Sequence, residues 1–167
     1  MNFLNTLKKK NLLIRVENIF LLILLFIVFL FDRISKISII NNFNKNTYYV
    51  NDYINFDLTW NIGIGFGLLS THSILLYNLV SITIGLVIII LFFIAINSNI
   101  SDKIVYTLII GGALGNFYDR IVYKAVPDFI DLHYLNFHWF TFNVADIFIT
   151  IGIMIYIIRS FFIKIKK

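Results

Sequence analysis

The sequence predicts a mainly α-helical integral membrane protein with four transmembrane helices, and two observations carry that prediction. The first is composition: of 167 residues, 59% are hydrophobic and 14% are charged. Soluble domains are about half apolar and about a quarter charged, so the excess of apolar side chains requires contact with lipid. The second is a set of four apolar runs, at Ile19–Phe31, Ile74–Ile96, Ile104–Phe117 and Phe142–Ile163.

These runs set the expected spans. A helix of about 20 residues, rising about 1.5 Å per residue, crosses the ~30 Å hydrocarbon core of a bilayer. The second run is long enough alone, and the other three need flanking residues. We expect one domain over residues 1–167, with spans at approximately 16–36, 74–96, 104–120 and 142–163 and outer connections at 41–73 and 121–141. The first run ends at Phe31-Asp32-Arg33, without a small-residue cleavage site, so we expect an uncleaved helix rather than a signal peptide.

Basic residues cluster at the two ends of the chain, whose net charge is +5. Such clusters are topology signals that face anionic lipid, and no basic face for nucleic acid lies between them. With four spans, both termini and Lys103, in the short connection Asn97–Lys103, are expected on the cytoplasmic side. The terminal residues are Lys8, Lys9, Lys10, Arg15, Arg159, Lys164, Lys166 and Lys167. The opposite side would carry Arg33, Lys36, Lys45, Arg120 and Lys124.

The first outer connection contains a strand pattern. From Ile54 to Trp60, apolar side chains alternate with polar ones, and a period of two is typical of a half-buried β-strand. His72, near the end of this connection, is expected to be structural or interfacial. The second outer connection mixes aromatic residues with aspartates and histidines, and such aromatic residues belong at the membrane interface.

Four aspartates lie at or near the outer ends of the expected spans. Asp32 closes the first span, and Asp119 with Arg120 closes the third. Asp128 follows shortly afterwards, and Asp146 lies in the opening turns of the fourth span. An ionisable residue at membrane depth costs roughly 2.5–3.5 kcal/mol on insertion scales and marks a functional site by default. The convergence of these carboxylates on one side of the bilayer therefore predicts a site there.

Two aspartates brought together at the edge of a bilayer support a definite chemistry. Carboxyl groups about 3 Å apart resist ionising together, so one pKa falls and the other rises. The ionised carboxyl can take a proton from water while the protonated one polarises a carbonyl group, and the pair titrates as a unit. Asp128 and Asp146 are too far apart in sequence to share a helix face. They meet only if the connection between them folds back over the helix ends.

Several of these residues have a structural alternative. Asp146, near a helix start, can stabilise the helix dipole. Asp119 with Arg120 can be ordinary residues at the end of a span. Gly111 and Gly115 form a small-xxx-small pair, a pattern that more often packs helices than supports chemistry.

Two other site chemistries are weaker alternatives. His133 and His138 suggest a metal site, but their spacing is not that of the HExxH zinc proteases. Ser70 or Ser73 with Lys36 would form a Ser–Lys dyad, although no supporting motif surrounds them. The chain contains no Cys, which excludes a thiolate metal site and a Cys nucleophile.

Five motifs, in order along the chain, resemble those of the lipoprotein signal peptidase family, also called signal peptidase II. Asp32–Lys36 resembles its Asp-Gln-x-Thr-Lys motif, and Asn61–Gly67 resembles its Asn-x-Gly-x-Ala-Phe-Gly segment. Gly111–Arg120 matches Gly-Gly-x-x-Gly-Asn-x-x-Asp-Arg. Val126–Phe129 resembles Val-Val-Asp-Phe, and Phe142–Asp146 matches Phe-Asn-x-Ala-Asp. Any one match is weak, whereas five in order on a four-span chain are specific.

The resemblance implies an intramembrane aspartic endopeptidase. The family's catalytic aspartates fall on Asp128 and Asp146. Positions that line the site and steady the substrate and the aspartate pair fall on Asn116, Arg120 and Asn143. Positions with structural or substrate-positioning roles fall on Asp32, Lys36, Asn61, Gly63 and Asp119.

The resemblance also implies a substrate and a location. The family's substrate is a prolipoprotein that carries diacylglycerol on a Cys, and cleavage releases the signal peptide immediately before that Cys. We expect no metal, organic cofactor or obligate protein partner, and a place in the bacterial cytoplasmic (inner) membrane with the active site near its outer face. The strand at Ile54–Trp60 would belong to a small extracytoplasmic β-sheet that cradles the substrate, and Gly63–Leu69 would border the cleft.

Four positions depart from the family pattern. Arg33 stands where Gln is usual, Ser35 replaces Thr, and Gly65 stands where Ala is usual. Pro127 replaces an aliphatic residue and lacks an N–H donor, which matters if that N–H normally orients the next residue, Asp128. We expect tolerance, because the apolar neighbours remain and no carboxylate is removed.

Two other functions stay open on the sequence. A small proton or cation transporter would place carboxylates near mid-bilayer on several helices, with access from both faces. Here they gather at one surface beside a long connection, which favours a protease. A catalytically inactive family member that only binds lipidated peptides would not need Asp128 and Asp146, and both are present.

Overall fold

A computed structural model of the chain describes residues 16–43, 47–63 and 73–165. The expected cleft border is therefore described only at Gly63. Predictions made above for individual residues outside these ranges concern Lys8, Lys9, Lys10, Arg15, Lys45, Gly65, Ser70, His72, Lys166 and Lys167.

Four long helices run through the described residues: α1 (Val16–Asn42), α2 (Ile74–Asn97), α3 (Ile100–Val122) and α4 (Val144–Ile165). Three of them are long and apolar enough to cross a membrane, within Glu17–Asn42, Ile74–Asn97 and Val144–Phe162. The prediction of a mainly helical chain with long apolar spans is thus confirmed for three helices. A membrane span at α3 stays a prediction.

Two helix boundaries differ most from the prediction. α1 continues to Asn42 rather than ending near residue 36. α3 begins at Ile100, because the side chain of Asn99 accepts a hydrogen bond from the Asp102 N–H and caps the helix. The placement of Lys103 in a connecting loop is therefore wrong. Lys103 lies in α3, where its side chain is buried and its Nζ donates to Asn18 Oδ1 at 2.7 Å.

A four-stranded antiparallel sheet is formed by the two connections that were predicted to lie outside the membrane. Its strands are β1 (Tyr48–Asn51), β2 (Ile54–Asn61), β3 (Val126–Tyr134) and β4 (Phe137–Phe142), in the spatial order β1-β2-β3-β4. β2 confirms the strand predicted from alternation. β3 and β4 were not predicted as strands.

α3 is the central helix, and it packs against α1, α2 and α4. Its glycines allow this close packing. A Cβ built at Gly111 would lie 2.7 Å from Val28 Cγ1 in α1, and one built at Gly112 would lie 2.5 Å from the Ala145 carbonyl oxygen in α4. A Cβ at Gly115 would collide with the carboxylate of Asp32 in α1. The packing alternative for Gly111 and Gly115 therefore fits the observed contacts.

Gly112→Ala is expected to destabilise the protein, because the carbonyl of Ala145 cannot move aside without separating α3 from α4. Overpacking of this kind costs about 1–3 kcal/mol, which lowers the melting temperature measured in detergent. Gly85→Ala is the matched control, since its Cβ would meet the ring of Phe117 at 3.1 Å and a side chain can shift. Equal melting temperatures for the two variants would contradict this packing.

Candidate active site

A buried cluster of four charged side chains joins α1 to α3. In α1, Lys36 donates to Asp32 Oδ2 at 3.0 Å, and it reaches across to Asp119 Oδ2 in α3 at 2.7 Å. Arg33 also contacts both aspartates, at 2.9 Å and 2.8 Å. Asp32, Lys36 and Asp119 are fully buried. Two cations thus face two carboxylates, so the cluster balances its formal charge.

This cluster extends to the start of α4. Asp32 Oδ1 accepts a hydrogen bond from the backbone N–H of Ala145 at 3.0 Å. The first N–H groups of a helix have no partner within the helix and carry partial positive charge, so a carboxylate is a favourable acceptor for them. The ion cluster therefore holds the turn that carries Asp146.

The start of α4 is also closed by a reciprocal pair of hydrogen bonds. The N–H of Asp146 donates to Asn143 Oδ1 at 3.1 Å, and the N–H of Asn143 donates to Asp146 Oδ2 at 3.2 Å. This is the geometry of a capping box. The structural alternative for Asp146 is thus realised, and it fixes the carboxylate in one orientation at the helix end.

Asn143 also contacts the second aspartate, Asp128, and so links it to the start of α4. Its Nδ2 donates to Asp128 Oδ1 at 2.6 Å, while its backbone N–H is bonded to Asp146. The connection between the two aspartates folds back as the β3–β4 hairpin. The two residues were expected to meet only if this connection folded back. Asn143 is fully buried and touches both carboxyl groups.

Each of the four carboxyl oxygens of the pair accepts one hydrogen bond from the described residues. Asn61 Nδ2 donates to Asp128 Oδ2 at 2.8 Å, and Asn116 Nδ2 donates to Asp146 Oδ1 at 2.8 Å. Asn143 supplies the other two. A carboxyl oxygen has two lone pairs, so each retains one for a proton, a water molecule or a substrate group.

Neutral amide groups separate the aspartate pair from the ion cluster. Asn116 Oδ1 accepts from Lys36 Nζ at 2.9 Å, while its Nδ2 serves Asp146. Arg120 turns away from the carboxylates in this arrangement: it donates to the carbonyl oxygens of Gly63, at 2.8 Å, and Asn116, at 3.2 Å. The amide groups thus orient the pair without a cation in direct contact.

A β-bulge places Asn61 beside Asp128. Phe56 pairs with Ile130, but Thr59 pairs with Asp128, so β2 holds one residue more than β3 over this stretch. Because side chains alternate across a strand, a regular register would have put Trp60 on the face of Asp128. The bulge puts Asn61 there and leaves Trp60 exposed, against the predicted alternation. Asn61 Oδ1 also accepts from the Gly63 N–H at 2.8 Å.

The Asp128 carboxyl has an altered acidity. Burial, and secondly the charge of Asp146, raise its pKa from 3.8 to about 6. Hydrogen bonds from Asn61 and Asn143 and the charge of Lys36 oppose the increase. A carboxyl with a pKa near 6 exchanges its proton close to neutral pH, as acid–base chemistry requires.

Every predicted site residue lies in this network. Asp128, Asp146, Asn143, Asn116 and Asn61 make direct contacts around the pair, Gly63 and Arg120 join the end of β2 to α3, and Asp32, Lys36 and Asp119 form the ion cluster. Arg33 belongs to the cluster as well, although the sequence marked it only as a departure from the family pattern. Its position in the sequence, between Asp32 and Lys36, was the feature that could have identified it as a member of the cluster.

Pro127 fits its position in β3. It pairs with Trp60 of β2, whereas the register between β3 and β4 starts only at Ile130. Proline has no N–H to donate to a neighbouring strand, so within sheets it occurs at edge strands and at the first residues of strands. The residue lies at such a start.

The two other proposed chemistries lie elsewhere in the described part of the chain. Ser73 is the N-cap of α2, and Lys36 is buried in the ion cluster. His133 and His138 meet Asp131 further along β3. Asp131 and His133 are an odd number of residues from Asp128, which places them on the opposite face of that strand.

Comparisons with known proteins agree on one family. Residues 24–162 match the family model described as Signal peptidase (SPase) II. The chain is 47% identical over 158 residues to a lipoprotein signal peptidase of Pelagibacter ubique, covering 92% of this chain and 95% of that protein. It is 41% identical over 122 residues to one of Francisella tularensis subsp. novicida, covering 71% and 76%.

Two solved structures, each described as a bacterial membrane enzyme, have the same fold. Their TM-scores are 0.71 and 0.70, with 29% and 28% sequence identity. The matches cover 84% of this chain and 87% and 91% of those chains. The likeness thus extends over most of the chain.

Asp128→Asn is expected to stabilise the protein increasingly as pH rises. Folding raises the pKa of Asp128 from 3.8 to about 6. Below pH 3.8 the protonated carboxyl therefore contributes its full stabilising free energy to the folded state. This contribution, at most about 3 kcal/mol, is lost as the pH rises through about 6. Because Asn does not ionise, the Asp128→Asn variant does not lose this stabilising contribution at high pH.

The measurement is the melting temperature in detergent of Asp128→Asn and wild type at pH 4 and pH 7. The difference, variant minus wild type, is expected to be larger at pH 7. A difference independent of pH would show that ionisation of Asp128 costs the folded state nothing.

Proposed function

Because the chain belongs to the signal peptidase II family, we propose that it is an intramembrane aspartic endopeptidase that cleaves diacylglyceryl-modified prolipoproteins. Membership of the family makes it a protease of a bacterial membrane. The cut falls immediately before the lipidated Cys and releases the signal peptide. Asp128 and Asp146 form the catalytic pair.

One observation carries the aspartic mechanism: Asn143 contacts both Asp128 and Asp146 at the end of the helix bundle. Both carboxyl groups are oriented by amide donors, and neither forms an ion pair within the described residues. A pair held in this way, without a neutralising cation in contact, favours sharing one proton over carrying two negative charges.

The chemistry follows from one shared proton. The ionised carboxyl takes a proton from a water molecule as its oxygen attacks the scissile carbonyl carbon, and the protonated carboxyl donates its proton to the carbonyl oxygen. In the resulting tetrahedral intermediate, the carboxyl that took the proton from water passes it to the leaving nitrogen, the other carboxylate takes a proton from a hydroxyl of the intermediate, and the C–N bond breaks. The products are a signal peptide with a new carboxyl group and a protein whose first residue is the lipidated Cys. The pair returns to one proton, as at the start.

The remaining site residues position this pair. Asn116 and Asn143 orient the carboxyl groups, and Asn61 fixes Asp128 from β2. Arg120, bonded to the Gly63 carbonyl, holds the end of β2 over the site. No step of this mechanism uses a metal or an organic cofactor.

The substrate reaches the pair from the membrane. The apolar faces of α1, α2 and α4 contact lipid, so the diacylglycerol of the substrate stays in the bilayer while its peptide enters between the helices and the sheet. The four-stranded sheet lies over the helix ends and cradles the peptide. Recognition of the lipid and cleavage of the peptide thus occur at one membrane surface.

We place α3 across the membrane as the fourth span. It has 23 residues, which at about 1.5 Å per residue exceed the ~30 Å hydrocarbon core. Lys103 and Asp119 contact α1, and Asp102 contacts Arg159 in α4, so the helix needs less hydropathy than its neighbours. Four spans put both termini on the cytoplasmic side and the aspartate pair near the outer face.

Asp128→Asn and Asp146→Asn are each expected to lower cleavage by at least about 10²–10⁴-fold, because each removes a proton acceptor and donor. The assay is a gel shift with purified protein in detergent and a diacylglyceryl-modified prolipoprotein. Asp102→Asn is the matched control, since that partly exposed aspartate lies in the first turn of α3 and is bonded to Arg159 and Asn99.

The variants are compared with and without a chelator, at a temperature well below unfolding. Cleavage that continues in chelator and is lost only in the two site variants supports the proposal. Cleavage that survives Asp128→Asn or Asp146→Asn would overturn the aspartic mechanism. A folded wild type that leaves the verified substrate intact would instead identify an inactive family member.

A further inference from the structure

Asp131, His133 and His138 meet on the outer sheet, and none of them has a role in the proposed mechanism. Their ligand atoms all lie within 4.8 Å of one another. His138 Nδ1 lies 2.8 Å from Asp131 Oδ2, and His133 Nδ1 lies 3.4 Å from the same oxygen. Two imidazole nitrogens and a carboxylate thus converge on one point.

A β-bulge produces this convergence. Leu132 pairs with Phe140, but His133 pairs with His138, so Trp139 is an extra residue in β4. In a regular register, Trp139 would stand opposite His133. The bulge instead brings the two imidazole rings together, with centroids 5.3 Å apart and planes at 23°. Bulges commonly re-aim side chains in this way near functional sites.

The cluster leaves polar atoms unsatisfied. The side chain of His133 is 8% exposed, and its Nδ1 makes no hydrogen bond within the described residues. Asn55, which pairs with Asp131 across β2 and β3, also has a buried Oδ1 without a hydrogen bond there. Buried polar atoms without partners cost free energy, so a bound group that satisfied them would stabilise this cluster.

The Asp131–His138 hydrogen bond already satisfies one imidazole, and the Nδ1 of His133 remains aimed at the same carboxylate oxygen. One carboxylate oxygen facing two imidazole nitrogens suits a cation placed between them. We propose that Asp131, His133 and His138 bind a divalent transition metal ion, for which Zn²⁺ is the best fit.

The ligand set and spacing support this choice. Imidazole and carboxylate groups bind Zn²⁺ at about 2.0–2.2 Å, and tetrahedral ligands at such distances lie about 3.3 Å apart. The measured separations of 2.8 Å and 3.4 Å from Asp131 Oδ2 bracket that value. Three protein ligands leave a fourth position for water, which is a hydrogen-bond donor for Asn55 Oδ1.

The site is open to the solution on one side. His138 has a side chain that is 58% exposed, whereas Asp131 is buried. A metal ion can therefore enter past His138 and join β3 to β4. Such a bond would stabilise the hairpin that carries Asp128, without contacting the aspartate pair on the other face of β3.

The test is a Zn²⁺ titration of the full chain in detergent, purified without a histidine tag, against a competing chelator of known affinity. Wild type is expected to bind one Zn²⁺ per chain and to melt at a higher temperature with Zn²⁺ than without it. Asp131→Asn, His133→Ala and His138→Ala are each expected to weaken binding by at least about tenfold. They are also expected to abolish the increase in melting temperature.

His72→Ala is the matched control, since His72 is the one other histidine in the sequence and lies outside the described residues. His138→Gln keeps the test decisive if a buried variant fails to fold, because His138 is exposed. Loss of binding in the three site variants with retention in His72→Ala supports the site. No stoichiometric binding by wild type, or binding that survives His138→Ala and His138→Gln, would overturn it.

Discussion

The buried ion cluster of Asp32, Arg33, Lys36 and Asp119 is the constraint on which the rest of the site depends. Charges removed from water cost several kcal/mol each, and they are tolerated here because two cations contact two carboxylates at 2.7–3.0 Å. Removing one partner would leave an uncompensated charge in the bundle. The cluster therefore permits only one alignment of α1 against α3, in which Gly115 lets the Asp32 carboxylate approach the α3 backbone.

From this cluster, two connections lead to the aspartate pair. Asp32 accepts the Ala145 N–H and so fixes the first turn of α4, while Lys36 holds Asn116, whose other end donates to Asp146. The site is thus built in layers: charged groups inside the bundle, neutral amides around them, and the carboxyl pair at the end. Burial and the charge of Asp146 keep the pKa of Asp128 raised, at about 6, although the amide hydrogen bonds and the charge of Lys36 lower it.

Much of this arrangement could be predicted from residue types, and particular failures have physical causes. The apolar runs indicated the helices, the cost of carboxylates at membrane depth singled out four aspartates, and the family resemblance selected Asp128 and Asp146 among them. Helix α1 continues beyond residue 36, where the sequence resembled a polar helix end, because Arg33 and Lys36 are neutralised by Asp32 and Asp119. Neither β-bulge could be predicted, since each depends on pairing between distant strands. They decide that Asn61 rather than Trp60, and His138 rather than Trp139, enter a cluster.

A double-mutant cycle tests most directly whether charge balance in the cluster holds the site together. Lys36→Met leaves two carboxylates facing Arg33 alone, and Lys36→Met with Asp119→Asn restores neutrality. The measurement is the melting temperature of wild type, both single variants and the double variant, together with their cleavage rates. The predicted result is a double variant that is more stable than Lys36→Met alone, because the buried excess charge is gone. Additive losses from the two substitutions would contradict the account, since independent sites do not compensate for each other.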